Sequence, residues 1–258
     1  MKNPLVSIVT PSFNQGAYIE DTILSVLNQT YPDIEYIIID ALSTDSTPFI
    51  LDKYENHPRV SRIIREKDEG QADAIEKGFR MAKGEIVGWI NSDDILAADV
   101  VEKSVRCFKE NERVGLTYGD IVMIDSHGNS MNIYKPHPFL DTDYLLNTSY
   151  FVYQPGSFYR KSVLESAGYL NRNLKYCMDL DLWLRILKTH DASYINSTSG
   201  LFRWYQTSKT ASGGLHFLKE IYTTLGRHHA RFLPATKRRI LWITLKEVVK
   251  KVIARPAR

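Results

Sequence analysis

The run Glu85-Ile86-Val87-Gly88-Trp89-Ile90 leads into Asn91-Ser92-Asp93-Asp94. A short apolar run of this kind reads as a buried strand. In an open α/β sheet, ligands bind beyond the carboxyl ends of such strands. Two adjacent carboxylates therefore stand where a ligand would stand. Neighbouring carboxylates repel, and the placement is tolerable where a divalent cation and a diphosphate share the site. The same residues also suit a helix start, with Ser92 as cap and the acids at the positive end of the dipole. On this segment alone both readings stand.

The preceding residues supply the rest of such a sheet. Residues 5–11 read as a first strand ended by Pro11, and residues 12–16 as a loop. Ile19, Ile23, Leu24, Val26 and Leu27 have helical spacing, and residues 30–33 break it. Residues 34–40 form a second strand with Asp40 at its end. Residues 43–47 offer caps for a helix reaching about Tyr54. Residues 60–65 are a third strand, and residues 71–83 a helix closed by Gly84. Strand and helix alternating through short links predict a mostly parallel central sheet with helices on both faces, an α/β fold. No G-x-G-x-x-G follows the first strand and no G-x-x-x-x-G-K-[ST] occurs, which disfavours dinucleotide and P-loop folds.

Further on, residues 101–111 predict a helix. Residues 114–125 predict one or two strands, with a turn at residues 126–129. Residues 154–160 lead into a strand, residues 161–167 form a short helix closed by Gly168, and residues 179–187 form another. Residues 207–214 are polar and glycine-rich and are expected to be mobile.

At 258 residues the chain suits one large domain with an appendage, divided as residues 1–215 and 216–258. No run of 18 or more apolar residues occurs, so no membrane-spanning helix is expected. The first residues lack the apolar core of a signal peptide, and Cys107 and Cys177 have no metal-type spacing; a cytoplasmic location is expected. Residues 236–258 hold eight Lys or Arg against one acid, a net +7, which leaves −4 on the body of a chain whose total is +3. An acidic body with no visible binding module argues against nucleic acid.

Five segments in order resemble the family-2 glycosyltransferases of the GT-A fold, over residues 6–210. They are Ser7-Ile8-Val9-Thr10-Pro11-Ser12-Phe13-Asn14, Ser25-Val26-Leu27-Asn28-Gln29-Thr30-Tyr31-Pro32, Asp68-Glu69-Gly70-Gln71-Ala72-Asp73-Ala74-Ile75, Asn91-Ser92-Asp93-Asp94 and Met178-Asp179-Leu180-Asp181-Leu182-Trp183-Leu184-Arg185. The resemblance implies that Pro11 lines a nucleotide pocket with Asn14 nearby, and that Asp40 meets the uracil or ribose edge. It implies that Asp68 and Gln71 share that pocket. Asp93 would contact the ribose, Asp94 would hold Mg2+ or Mn2+, and Asp179 would be the catalytic base. Asp181 is the rival base, facing away from Asp179 on the same helix.

Two positions depart from the family pattern. Ala41 and Leu42 stand where glycines are common, and Leu42 either narrows the pocket or forces a different turn. Tyr205 stands where a histidine is common, so Arg203 and Lys209 could supply the positive charge for a diphosphate. Tyr150, Tyr153, Tyr159 and Tyr205 suit either a sugar-stacking wall or core packing.

The implied activity is inverting, metal-dependent transfer from a nucleoside-diphosphate sugar, UDP-linked, to a hydroxyl of a glycan or lipid-linked acceptor in surface-polysaccharide synthesis. The rivals are a nucleotidyltransferase, which would need a glycine-rich phosphate loop, and a catalytically inactive scaffold of a membrane glycan-assembly complex. In the tail, Leu241, Leu245, Val248, Val249 and Val252 share one side of a helix, with Lys246 and Lys250 opposite and Trp242 at the boundary. Such a helix suits an anionic membrane surface, peripheral on the inner face of the cell membrane, or packing on the catalytic domain.

Overall fold

A computed structural model describes residues 3–152, 154–231 and 235–253. Tyr153 and the tail side chains from residue 247 onward, including Val248, Val249, Lys250, Lys251, Val252, Arg255 and Arg258, lie outside the described residues. The elements run β1 Val6–Ser12, α1 Ile19–Leu27, β2 Ile34–Asp40, α2 Thr47–Tyr54, β3 Val60–Arg65, α3 Gln71–Met81, β4 Ile86–Trp89, β5 Ile95–Leu96 and α4 Val100–Glu110. They continue as β6 Val114–Ile124, β7 Ser130–Tyr134, α5 Thr142–Asn147, β8 Phe158–Arg160, α6 Lys161–Ala167, α7 Met178–Ile186, β9 Asp191–Arg203, α8 Lys209–Ser212, α9 Gly214–Arg227 and α10 Ala235–Ile253.

The sheet order is β3-β2-β1-β4-β8-β6-β9-β5, with β7 paired to β6. Strands β1 to β4 are mutually parallel, as the alternation predicts, and Ser12, Asp40 and Arg65 lie side by side at their carboxyl ends. Beyond β4 the sheet is mixed. β8 runs antiparallel to both β4 and β6, while β9 is parallel to β6. Gly88 admits the antiparallel neighbour, because a Cβ there would come within 2.6 Å of the Phe158 ring.

Alternation along the strands builds a core on each face. In β2, Ile37 and Ile39 belong to the core that α3, α7 and α9 share, whereas Tyr36 and Ile38 belong to the core shared by α1, α2 and α4. Each fully buried isoleucine contributes about 1.5–3 kcal/mol of apolar transfer. Leu218, Ile221 and Leu225 of α9 and Ile240 of α10 belong to the same core as α7.

Gly168 closes α6 in the left-handed conformation, as expected, at φ 85°. Gly84 does not close α3, which ends at Ala82 in extended backbone. Gly84 instead lets the chain pass over the start of β1, where a Cβ would lie 2.7 Å from the backbone nitrogen of Ser7. Residues 207–214, expected to be mobile, include α8, whose cap Ser208 accepts from the backbone N–H of Ala211. No helix among the described residues is long and apolar enough to cross a membrane.

Candidate active site

The carboxyl ends of β1, β2 and β4 lie along one edge of the sheet, Lys209 at the start of α8 reaches that edge through Gln71, and Asp179 at the start of α7 lies close enough to Lys209 to feel its charge. After β4, Asn91 to Asp94 make a tight turn into β5, with the N–H of Asp94 donating to the Asn91 carbonyl at 3.1 Å. Helix α4 begins only at Val100, with Asp99 at its N-cap position. The two aspartates are therefore not a helix cap, and the dipole does not account for them.

The pair is divided by burial. Asp94 is 0% exposed. Its Oδ1 accepts from the backbone N–H of Arg203 at 2.9 Å, and its Oδ2 from Asn91 Nδ2 at 3.1 Å. Burial, and then the neighbouring Asp93, push its proton affinity well up. Asp93 is partly exposed, and its Oδ2 accepts from the Tyr205 hydroxyl at 2.8 Å. Burial raises its proton affinity as well, against the pull of Tyr205, Arg203 and Lys209. Asp94, expected at the metal, is thus sealed, and Asp93 is the acid with access.

Arg203, expected to meet the donor, is only 2% exposed and is spent on the protein. Its Nε donates to the Asp93 carbonyl and its Nη2 to Asp21, both at 2.9 Å. The guanidinium lies 4.8 Å from the Tyr18 ring centre, and Tyr18 in turn lies 5.0 Å from Tyr205. It acts as a strut beneath the acid turn.

Lys209 enters from α8 and donates to Gln71 Oε1. Gln71 Nε2 donates to Asn91 Oδ1 at 2.6 Å, and Asn91 passes the chain to Asp94. An ammonium only donates, so Lys209 orients the Gln71 amide and through it the Asn91 amide. Burial lowers the Lys209 pKa to about 8. Burial raises the pKa of Asp179 to about 6, against a hydrogen bond from the Leu180 N–H and the charge of Lys209.

Asp181, the rival base, is buried and turned away, accepting from Arg185 Nε at 2.9 Å and His228 Nε2 at 2.8 Å. Burial pushes its proton affinity up, but these partners outweigh it and hold the carboxyl below its ordinary value.

At the β1 and β2 ends the expected residues are adjacent but partly engaged. Asp40 is 1% exposed and accepts from the N–H and hydroxyl of Ser43. Asn14 accepts from the Thr44 N–H and donates its own N–H to Ser43 Oγ, each at 2.8 Å. Leu42 takes the left-handed conformation, φ 59°, with its side chain 53% exposed. The turn a glycine would make is therefore kept, at a cost of about 1–2 kcal/mol for the Cβ. Pro11 is buried opposite Ile39, and Asp68, partly exposed, accepts from the N–H of Gly70 before α3. Tyr159 is core, stacked on Trp89 at 5.5 Å, and Tyr150 is buried; Tyr205 alone of the described three hydrogen-bonds an aspartate of the acid turn.

Among the described residues no group of three or more His, Cys, Asp or Glu gathers as a metal cage. Magnesium-type sites take one or two carboxylates and fill the rest with phosphate oxygens and water. One accessible carboxylate, Asp93, fits that donor set.

Residues 7–168 match the family described as Glycosyl transferase family 2. The chain is 30% identical over 236 residues to the Bacillus subtilis glycosyltransferase TuaG, named for teichuronic acid biosynthesis, covering 84% of this chain and 91% of that one. It is 31% identical over 194 residues to the Escherichia coli chondroitin synthase, covering 75% of this chain but only 28% of the synthase. Staphylococcus aureus TarS 1-349 in complex with UDP-GlcNAc superposes with a TM-score of 0.67 at 18% identity, over 95% of this chain and 73% of that one. The mannosyltransferase PcManGT of Pyrobaculum calidifontis, in complex with GDP-Man and Mn2+, superposes with a TM-score of 0.67 at 17% identity, over 100% of this chain and 77% of that one. These two likenesses establish a shared fold, the GT-A fold. With a sheet of that fold, an acid turn at its rim and a relative matched over nearly its whole length, this chain belongs to glycosyl transferase family 2.

Proposed function

We propose that the chain transfers a sugar, with inversion, from a nucleoside-diphosphate sugar to a hydroxyl of a glycan or lipid-linked acceptor in surface-polysaccharide synthesis. UDP is the nucleotide we favour. The observation that carries this reading is Asp179, a partly exposed carboxyl with its pKa raised to about 6, within range of the Lys209 charge, which Asp93 also feels. A general base is most useful when its pKa lies near the working pH. Asp179 takes the proton of the acceptor hydroxyl as that oxygen bonds to the anomeric carbon. The bond from that carbon to the diphosphate breaks on the opposite face, and the configuration inverts. Lys209 meets the charge that develops on the leaving phosphates. A divalent ion, when bound, would add a further positive charge on the diphosphate, and Asp93 is the residue that would hold it. Arg203 and Asp94 keep the Asp93 turn in place. Asn14 and Asp68 line the nucleotide end, with Asp40 and Pro11 buried at the strand ends beside them.

A thermal-shift panel of UDP, GDP and CDP, each with Mg2+ or Mn2+, tests the reading. One nucleotide at about 100 times its dissociation constant adds about 2.7 kcal/mol to stability. UDP is expected to give the largest shift. A shift from no nucleotide would overturn the assignment.

The tail supports a membrane role within the same proposal. Thr236 and Ile240 are buried, and Thr236 Oγ1 donates to the Leu146 carbonyl at 2.7 Å. The outward side presents Leu241, Trp242 and Leu245, all exposed, with Lys246 over the Trp242 ring. An exposed apolar face on a segment of net +7 suits an anionic bilayer, where each basic residue near the surface contributes about 1 kcal/mol. Because Thr236 and Ile240 belong to the core, substitution is a cleaner test than truncation. The double variant Trp242→Ser, Leu245→Ser is expected to lose most sedimentation with phosphatidylserine vesicles while binding UDP normally. The wild type should be released in part by high salt. Undiminished sedimentation of the variant would count against the membrane reading.

A further inference from the structure

Helix α9 lies outside both the residues matched to the family and the segments that carry the resemblance. Its polar groups nonetheless converge on the start of α7. Glu220 Oε1 accepts from the backbone N–H groups of Tyr176 at 2.6 Å and Cys177 at 2.9 Å, and Oε2 from that of Lys175 at 3.0 Å. One turn on, Thr224 Oγ1 lies 3.3 Å from Cys177 Sγ, and another turn on, His228 holds Asp181 at 2.8 Å. Glu220 and Thr224 are spaced i, i+4 on one face of α9, and His228, its C-cap, continues that line. Cys177, the N-cap of α7, and Asp181 have the matching spacing, and Asp179, two residues from each, lies off that face and is partly exposed. Cys177, the N-cap of α7, makes no side-chain cap of its own, so the Glu220 carboxylate supplies the anchor that the helix start lacks.

We propose that Glu220 is a positioning residue: by holding three consecutive backbone N–H groups it fixes the segment that carries Asp179, and its charge balances that of Lys209 near Asp179. The inference rests on Asp179 being the base. The titratable groups close enough to Asp179 for their charges to interact with it are Lys209 from α8, Glu220 from α9, Tyr159 from β8 and Cys177 from its own segment. Lys209 favours the ionised carboxylate, and Glu220 opposes it. Glu220 also favours the charged form of Lys209.

Removing the Glu220 charge leaves Lys209 unopposed at Asp179, so Asp179 should release its proton at lower pH. Two measurements test this in the full chain. The first is the carboxyl titration of Asp179 by 13C NMR, assigned by difference from Asp179→Asn. The second is the rate of sugar release from UDP-GlcNAc or GDP-mannose, with nucleotide affinity measured by titration. In Glu220→Gln the Asp179 midpoint is expected to fall, and turnover to drop on the order of tenfold or more with nucleotide affinity unchanged, as a misplaced catalytic group requires. Glu220→Asp keeps the charge at shorter reach, so its midpoint should stay nearer the wild type while turnover still falls. A folded Glu220→Gln with wild-type midpoint and turnover overturns the inference. If that variant does not fold, Glu220→Asp with wild-type turnover overturns it. Full turnover in Asp179→Asn would instead sink the base assignment itself, and the Asp179 titration keeps the two failures apart.

Discussion

Asp179→Asn is expected to lower turnover on the order of 10²-fold or more, the usual worth of a general base, with nucleotide affinity unchanged. Asparagine keeps the size and accepts the Leu180 N–H, but it cannot take a proton. The sign of the pH dependence follows from the role. Asp179 must be ionised to act, so turnover should rise as pH climbs through about 6. Lys209 must be charged to meet the diphosphate, so turnover should fall again above about 8. A bell between these limits is the expected profile, and Asp179→Asn should lose its acid limb. Asp181→Asn should behave differently. It breaks contacts with Arg185 and His228 in a buried cluster, a change that costs about 3–5 kcal/mol when one partner is removed, so it should lower Tm. A folded Asp181→Asn that is inactive, beside an active Asp179→Asn, would reverse the two roles.

What was legible in the sequence was local. Strands β2 and β3 fall where the apolar runs place them, at Ile34–Asp40 and Val60–Arg65, because Pro32-Asp33 and Pro58 precede them and polar stretches follow. The parallel half of the sheet follows from such runs alternating with helices. β8 was harder to place. It has three residues, its pairing is with β4 and β6, and its direction depends on how Phe158 sits over a missing side chain at Gly88. Nothing local to residues 158–160 sets that direction.

The site divides in the same way. Which residue types gather at the strand ends was readable from motifs. Which of two adjacent aspartates is sealed was not, because the seal is the Arg203 backbone N–H, 109 residues away in the chain. Arg203 looked like a free cation because its acceptors, Asp21 and the Asp93 carbonyl, come from two other segments. Glu220 left no motif, since it binds backbone, and a backbone N–H carries no residue signature. The departure at Leu42 is the converse case. The residue changes while φ stays in the glycine region, so the loop geometry outlasts the side chain that usually permits it.

Asp93→Asn is expected to abolish the divalent-dependent part of UDP binding, whereas Asp94→Asn should mainly cost stability. An ion can reach Asp94 only by displacing the Arg203 N–H or the Asn91 amide, and the side chain is 0% exposed. In Asp94→Asn, an amide nitrogen would face one of those N–H donors, leaving a buried group unpaired at a cost of about 1–3 kcal/mol. At this chain length each kcal/mol lowers Tm by roughly 2–4 °C. Asp93 has the opposite environment: partly exposed, with one oxygen taken by the Tyr205 hydroxyl and the other free of any hydrogen bond among the described residues. Tyr205 therefore orients the acid, and Tyr205→Phe should weaken ion binding by about 10–100-fold, the usual effect of losing an orienting partner. Isothermal titration of UDP with and without Mn2+ separates these variants, with Tm measured alongside. The expected order of loss in the ion-dependent component is Asp93→Asn, then Tyr205→Phe, then Asp94→Asn. A folded Asp94→Asn that has lost ion dependence, beside an Asp93→Asn that keeps it, would return the metal to Asp94 and require the acid turn to open when the donor binds.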